Sequence, residues 1–235
     1  MQTITLSLFR FDRPAARRWV LGQMVAARVA LARQPGLEFW KICGSGTGQG
    51  FTPRPNWGVW AILGVWGTQQ AAQQGHSHGA WARWRARADE TYTLFLEPYS
   101  ARGRWSGQAP FRPEGGADGP VAALTRATLR PARALRFWGQ VPDISAKVGT
   151  DPNVMFKIGI GEMPLLRQVT FSVWPDADSM AEFARRGPHQ QAIRAVRAER
   201  WFSEELYARF RISARQGTWQ GRDPLDPAPT IQEAA

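Results

Sequence analysis

The chain is written twice. Ser100-Ala101-Arg102-Gly103-Arg104-Trp105-Ser106-Gly107 returns as Ser213-Ala214-Arg215-Gln216-Gly217-Thr218-Trp219-Gln220-Gly221 with one residue inserted. Two weaker echoes precede it in the same order: Trp40-Lys41-Ile42 against Phe156-Lys157-Ile158, and Gly64-Val65-Trp66 against Ser172-Val173-Trp174. A similar offset each time suits two equivalent structural units joined through the Pro- and Gly-rich stretch from Pro110 to Pro120. The expected division is a first unit over 1–109, a linker over 110–130, a second unit over 131–223 and a tail over 224–235.

Periodicity gives each unit its content. Thr3 to Phe11 reads as a strand, and Asp12 is placed to cap a helix whose Pro14 is tolerated in the first turn. Val20, Met24, Ala27 and Leu31 form one apolar stripe on that helix, and Pro35-Gly36 stops it. Strands are expected near Phe39 to Gly44 and Trp57 to Trp66, then a helix from Gln69 to Ala88 and a strand from Thr91 to Tyr99. The second unit repeats the order with its first helix eroded to Ile144–Val148. Its strands are expected at Ala134 to Val141, Val154 to Gly161 and Arg167 to Trp174, with helical runs after Asp176 and after Gly187-Pro188. Leu206, Ala208, Phe210 and Ile212 alternate as a last strand. The fold class is therefore α+β: tandem ferredoxin-like βαββαβ repeats packed sheet to sheet, a single-chain counterpart of a dimeric α/β barrel.

Composition narrows the setting. A single cysteine, Cys43, excludes an internal disulfide and any thiolate metal cluster within one chain. The longest apolar run, Val59 to Trp66, falls far short of the ~20 residues that cross a bilayer, and Met1 leads into Thr3-Ile4-Thr5-Leu6 without a signal pattern. A cytoplasmic protein is expected. The net charge of +11 comes from arginines spread along helices, with only Lys41, Lys147 and Lys157 as lysines. Nothing in it resembles a nucleic-acid signature, but it would favour contact with an anionic membrane surface.

Chemistry has few places to sit. His76, His78 and His189 are the only imidazoles. His189 follows Gly187-Pro188 and begins a stripe continued by Ile193 and Val196, which aims it inward as an axial heme ligand requires, although a helix-start histidine bonded to backbone is equally compatible. His76 and His78, between Gly75 and Gly79, could bind a metal or mark a helix interruption, and by rough position His78 corresponds to His189. Gly44-Ser45-Gly46-Thr47-Gly48-Gln49-Gly50 lacks the Gly-Lys-Ser/Thr ending of a phosphate loop and leads to Pro53 and Pro55, so a flexible loop at a pocket rim is expected. No Ser/His/Asp order or paired acidic motif supports a hydrolase. Arg102 and Arg215, within the repeated motif, could hold carboxylates or make strand-end salt bridges.

Several blocks together resemble the spheroidene monooxygenase family: Met1 to Phe11, Gly44 to Pro53, Gly103-Arg104-Trp105-Ser106-Gly107, Lys157 to Glu162, and Gly187-Pro188-His189 with Ala192 to Glu199 and Trp201-Phe202. The resemblance implies a heme enzyme of carotenoid synthesis in phototrophic bacteria. It would insert a keto group at C-2 of spheroidene and related acyclic carotenoids, using O2 and reduced ferredoxin. With a heme expected, the placement of His189 makes it the candidate axial ligand in an apolar chamber between the paired sheets, Arg102 and Arg215 are candidates to hold the propionates, and peripheral contact with the membrane that holds the substrate is expected. A heme dehydratase or peroxidase on the same scaffold, or a non-catalytic membrane-associated module, are the competing possibilities. The Gln-rich helix carrying His76 and His78 departs from the alanine expected there, which leaves a second histidine near the heme open.

Overall fold

A computed structural model describes residues 1–134, 136–139, 153–163, 165–185 and 201–226. The first half runs β1 (Thr3–Arg10), α1 (Pro14–Ala32), β2 (Leu37–Gly46), β3 (Pro55–Trp66), α2 (Gln69–Ser77), α3 (Gly79–Arg85) and β4 (Glu90–Gly103). The second runs β5 (Val121–Leu129), β6 (Phe156–Met163), β7 (Arg167–Trp174), α4 (Ala177–Arg185) and β8 (Phe202–Gly217). The eight strands close into one antiparallel barrel in the order β1-β3-β2-β6-β7-β5-β8-β4. Each half contributes its four strands in the order fourth, first, third, second, and the halves join along β4–β8 and β2–β6.

Strand alternation decides what lies inside. Ile4, Leu6 and Leu8 of β1 point into the barrel with Leu63 and Val65 of β3, Leu94 and Leu96 of β4, Leu124 of β5, Ile158 of β6 and Phe171 of β7. Trp105 and Trp219 belong to the same buried cluster. The interior is thus filled by side chains, so the space between the sheets is not the chamber expected for a macrocycle. Closure gives every strand two neighbours, with β2 and β6 meeting at Gly44–Gly161 and Ser45–Ile160 alone.

The repeated motif forms the same turn twice. Gly103 and Gly217 adopt φ of +95° and +90°. A Cβ at either would meet a carbonyl of the facing strand at 2.2 Å, that of Glu205 or Thr91. Trp105 then bridges to Gln108 and Trp219 to Arg222. The Ser106 and Gly107 amides donate to Glu204, and those of Gln220 and Gly221 to Glu90, at 2.7 to 2.9 Å.

Several expected elements move. The strand placed at Ala134–Val141 is not observed. Pro131–Arg133 is a 3-10 turn and residues 134 and 136–139 are helical. The half instead starts with β5, inside the range expected as linker, where β7 and β8 bond both of its edges. The helix expected over Gln69–Ala88 breaks at His78, as an interruption there would have it. Asp12 does not cap α1, whose N-cap is Arg13 without a side-chain bond, because the Asp12 carboxylate pairs with Arg10 at 3.3 Å. The short helix at Ile144–Val148 and the run after Gly187-Pro188 lie outside the described residues.

Candidate functional site

The outward faces of the two half-sheets differ in what covers them. On the first, Thr5 and Ser7 of β1 and Thr93 of β4 are small and buried, and indoles descend on them. Trp66 Nε1 donates to Thr5 Oγ1 at 2.9 Å, and Trp81 Nε1 to Ser7 Oγ at 3.1 Å. Gly75 on α2 makes room, since a Cβ there would stand 2.1 Å from the Trp66 ring. Trp84 packs edge-on against Phe9 with centroids 5.2 Å apart. This face is a closed aromatic layer under α1, α2 and α3.

His76 belongs to that layer. Its Nε2 lies 3.0 Å from Thr93 Oγ1, and Thr93 donates its own proton to Ser7, so Nε2 carries the hydrogen. Nδ1 then faces Arg85 Nη1 at 3.0 Å as an acceptor. Burial, and then the Arg85 charge, lower its pKa to about 4. Both ring nitrogens are engaged. His78 is exposed at the α2–α3 break with Nδ1 2.8 Å from the Gln74 carbonyl oxygen.

On the second half, Ala123, Thr125 and Ala127 of β5 alternate with the interior-facing Leu124, and Thr170 and Ser172 of β7 with Phe171. In the ladder Ala123 sits beside Ser172 and Thr125 beside Thr170, while Gly159 of β6 follows next to Thr170. The described cluster on this side is small: Val121, Trp174 and Met180, with Phe183 5.0 Å from Trp174. Trp174 Nε1 donates to Ser172 Oγ at 2.9 Å, as Trp66 does to Thr5 opposite, and no Phe, Tyr or Trp occurs between Phe183 and Trp201 in the sequence. Apart from Trp174, the outward side chains Ala123, Thr125, Thr170 and Ser172 are short, and the chain between Arg185 and Trp201 lies outside the described residues.

Beside this face lies a groove of about 320 Å³ between α1, the glycine-rich loop and the β6–β7 hairpin. Leu21, Met24, Trp57, Trp60, Trp138 and Leu165 give it an apolar wall. Gly161 and Gln168, paired on β6 and β7, line it too and carry it onto the second sheet. The loop is the pocket rim expected from its glycines. Gly50 crosses β6 so closely that a Cβ would overlap the Gly159 carbonyl at 1.7 Å.

One barrel end holds a buried ionic group. Arg126, 1% exposed, pairs with Glu204 and lies 3.5 Å from Glu162, which Lys41 Nζ approaches at 2.9 Å and Trp105 Nε1 at 2.7 Å. Burial works to raise the Glu204 carboxyl, but the Gly107 and Ser106 amides and Arg126 outweigh it and hold it below the ordinary range. Cys43 is buried nearby, and desolvation, aided by Glu162, pushes its thiol up, so it is no thiolate ligand.

No family model matches the chain. A spheroidene monooxygenase from Rhodobacter capsulatus is 54% identical over 231 residues, 96% of each chain. One from Cereibacter sphaeroides is 53% identical over 99% of this chain and 73% of its own, and one from Rubrivivax gelatinosus 37% identical over 89% and 82%. The chain belongs to the spheroidene monooxygenase family. Among solved structures an aldoxime dehydratase in complex with butyraldoxime superposes with TM-score 0.62 at 10% identity, over 90% of this chain and 79% of its own, a likeness of fold.

Of the candidate heme contacts, Arg102 and Arg215 are among the described residues, and they stand far apart along the β4–β8 ladder. Arg102 is paired in register with Tyr207 and Arg215 with Leu94, eight positions apart along β4, or roughly 27 Å at ~3.3 Å per residue. Two propionates leave one edge of a porphyrin, so these arginines cannot serve the same ring. Arg215 pairs with Asp223 at 3.0 Å and Asp226 at 2.7 Å, the strand-end salt bridge. The Arg102 guanidinium lies 4.7 Å above the Tyr207 ring, beside Thr125 of the second sheet's outward face. His189 lies outside the described residues. Sequence reasoning missed Glu162, Glu204 and Arg126. The only signal was their place beside the repeated turn, which pairing alone reveals.

Proposed function

We propose that this protein is a heme-dependent monooxygenase that introduces a keto group at C-2 of an acyclic carotenoid of the spheroidene type, with O2 and electrons from reduced ferredoxin. The reading includes two tandem ferredoxin-like units, each with the strand order of a βαββαβ sheet, and a cytoplasmic protein in peripheral contact with a membrane. What carries it is the outward face of the second half-sheet. Ala123, Thr125, Thr170 and Ser172 leave a floor of short side chains beside Trp174, in a family whose members are named spheroidene monooxygenases.

His189 would hold the iron, because His76 has both nitrogens bonded to neighbours and His78 is exposed on the other half. Arg102, over Tyr207, would take a propionate. Bound there, heme supplies the activation of dioxygen by external electrons. The chain's own residues hold the rest. The groove walled by Leu21, Trp57, Trp60 and Trp138 receives the end of the polyene, excludes water around it and directs it toward the second sheet. At about 320 Å³ it admits only a terminal segment of so long a hydrocarbon, which agrees with oxidation near the chain end. The test is His189→Ala in the purified protein. Loss of the Soret band and of stoichiometric heme is expected, with an unchanged melting profile of the barrel, and a variant that keeps both would remove His189 as ligand.

A further inference from the structure

We infer that the outer side of α1, continued by Trp57 and the β6–β7 hairpin, is the face by which the protein lies on an anionic lipid bilayer. The inference rests on the carotenoid assignment only in its purpose, since the surface argues for itself.

Seven large apolar side chains are exposed among the described residues, and six of them fall on this side: Leu21 43%, Val25 75%, Val29 52%, Trp57 53%, Met163 43% and Leu165 42%. Scattered exposed apolar residues are ordinary, but a contiguous group is not. Leu21, Trp57, Met163 and Leu165 line the groove, and Val25 and Val29 continue from Leu21 at successive i+4 steps. Helix α1 therefore carries two apolar stripes. Ala16, Val20, Ala27 and Leu31 face the sheet, and Leu21, Val25 and Val29 face outward.

Charge selects the occupant. Residues 13–37 contain five arginines and no Asp or Glu. Arg17, Arg18 and Arg28 share the exposed side of α1 with the outward valines, and Arg54 stands at the groove. An apolar stripe flanked only by cations is how a helix seats at the headgroup boundary of an anionic membrane. A second copy of this chain would bring the same arginines against each other, so self-association is disfavoured there. No described helix is long and apolar enough to cross a membrane, and α1 lies along it instead. The groove mouth opens within the face, so a hydrocarbon passes from lipid to protein without crossing water.

The experiment is flotation of the holoprotein with vesicles of phosphatidylcholine alone or with phosphatidylglycerol, at low and high salt. Wild type should float with the mixed vesicles at low salt and be released by salt. Val25→Glu/Val29→Glu should lower the bound fraction at least tenfold, and Arg18→Glu several-fold, with unchanged melting and unchanged turnover of detergent-dispersed carotenoid. Failure of wild type to float, equal flotation of the double variant, or a dimer that it converts to monomer without any vesicle binding would each overturn the assignment. Intact flotation without turnover would support the docking face and sink the carotenoid reading instead.

Discussion

On the first half-sheet, Trp66, Trp81 and Trp84 press onto Thr5, Ser7 and Phe9 and satisfy two hydroxyls with indole N–H groups. On the second, the positions facing outward are Ala123, Thr125, Thr170 and Ser172, where one indole, Trp174, donates to Ser172 and packs against Phe183. Both halves run their strands in the same order, and their turns are clamped by the same arrangement of glutamate and amides. The scaffold is held in common, and among the described residues the outer layer of the first half is the fuller. Three indoles finish the first sheet face, and among the described residues one, Trp174, stands on the second.

The sharpest test exchanges the two finishes. Trp81 is fully buried, its ring 5.1 Å from Trp66, and Trp81→Ala should cost roughly 3–5 kcal/mol and lower Tm by about 10 °C. Ala123→Phe should do the reverse, filling the second floor. Heme retained on purification should fall below a tenth of wild type while thermal unfolding of the apoprotein shifts little. An Ala123→Phe protein that keeps a full heme complement would mean the cofactor does not lie on this face.

The sequence made the duplicated turn legible because Gly103 and Gly217 are backbone necessities, and it made α1 and the Arg167–Trp174 strand legible because their apolar residues keep strict period. It misplaced the start of the second half because Val121–Leu129 mixes three alanines, two threonines and two leucines with one valine and Arg126, so no β-branched run marks it. Pairing on both edges, not propensity, makes it a strand. The outward face of the second half-sheet was invisible for a related reason. Short residues on a strand register as weak signal, and their meaning appears only when the other sheet shows what a filled face looks like. Arg215 was chosen from the motif, but its ion pairs with Asp223 and Asp226 come from the chain turning back after β8.

The two clamps should also differ in strength. Glu204 neutralises Arg126, which is 1% exposed, whereas Glu90 pairs with Arg10, whose side chain is 33% exposed. Glu204→Ala orphans a buried guanidinium and should cost roughly 3 kcal/mol, moderated by Glu162, while Glu90→Ala should cost about 1 kcal/mol. Urea titrations of both variants give the comparison. Equal losses would show that the shared amide bonds, not the arginine, set the contribution of each clamp.

A last difference separates the halves by pH. His76 has an ordinary pKa of 6.5 but titrates near 4 in the folded chain, because burial and Arg85 oppose its charge. Between those values the unfolded chain binds the extra proton, so stability falls as the pH is lowered through the window, by at most ~1.4 kcal/mol per pH unit. Glu90 and Glu204, held below their ordinary 4.5, work in the same direction only once the pH drops past that value. The interval from 6.5 to 4.5 therefore isolates His76. His76→Gln, which can still donate to Thr93 and accept from Arg85, should flatten the stability profile there. Amide exchange in α2 and β4 should quicken in acid before that in α4 and β7. If wild type and variant lose stability in parallel across this interval, the acid sensitivity lies elsewhere, and the aromatic layer of the first half owes nothing to a neutral imidazole.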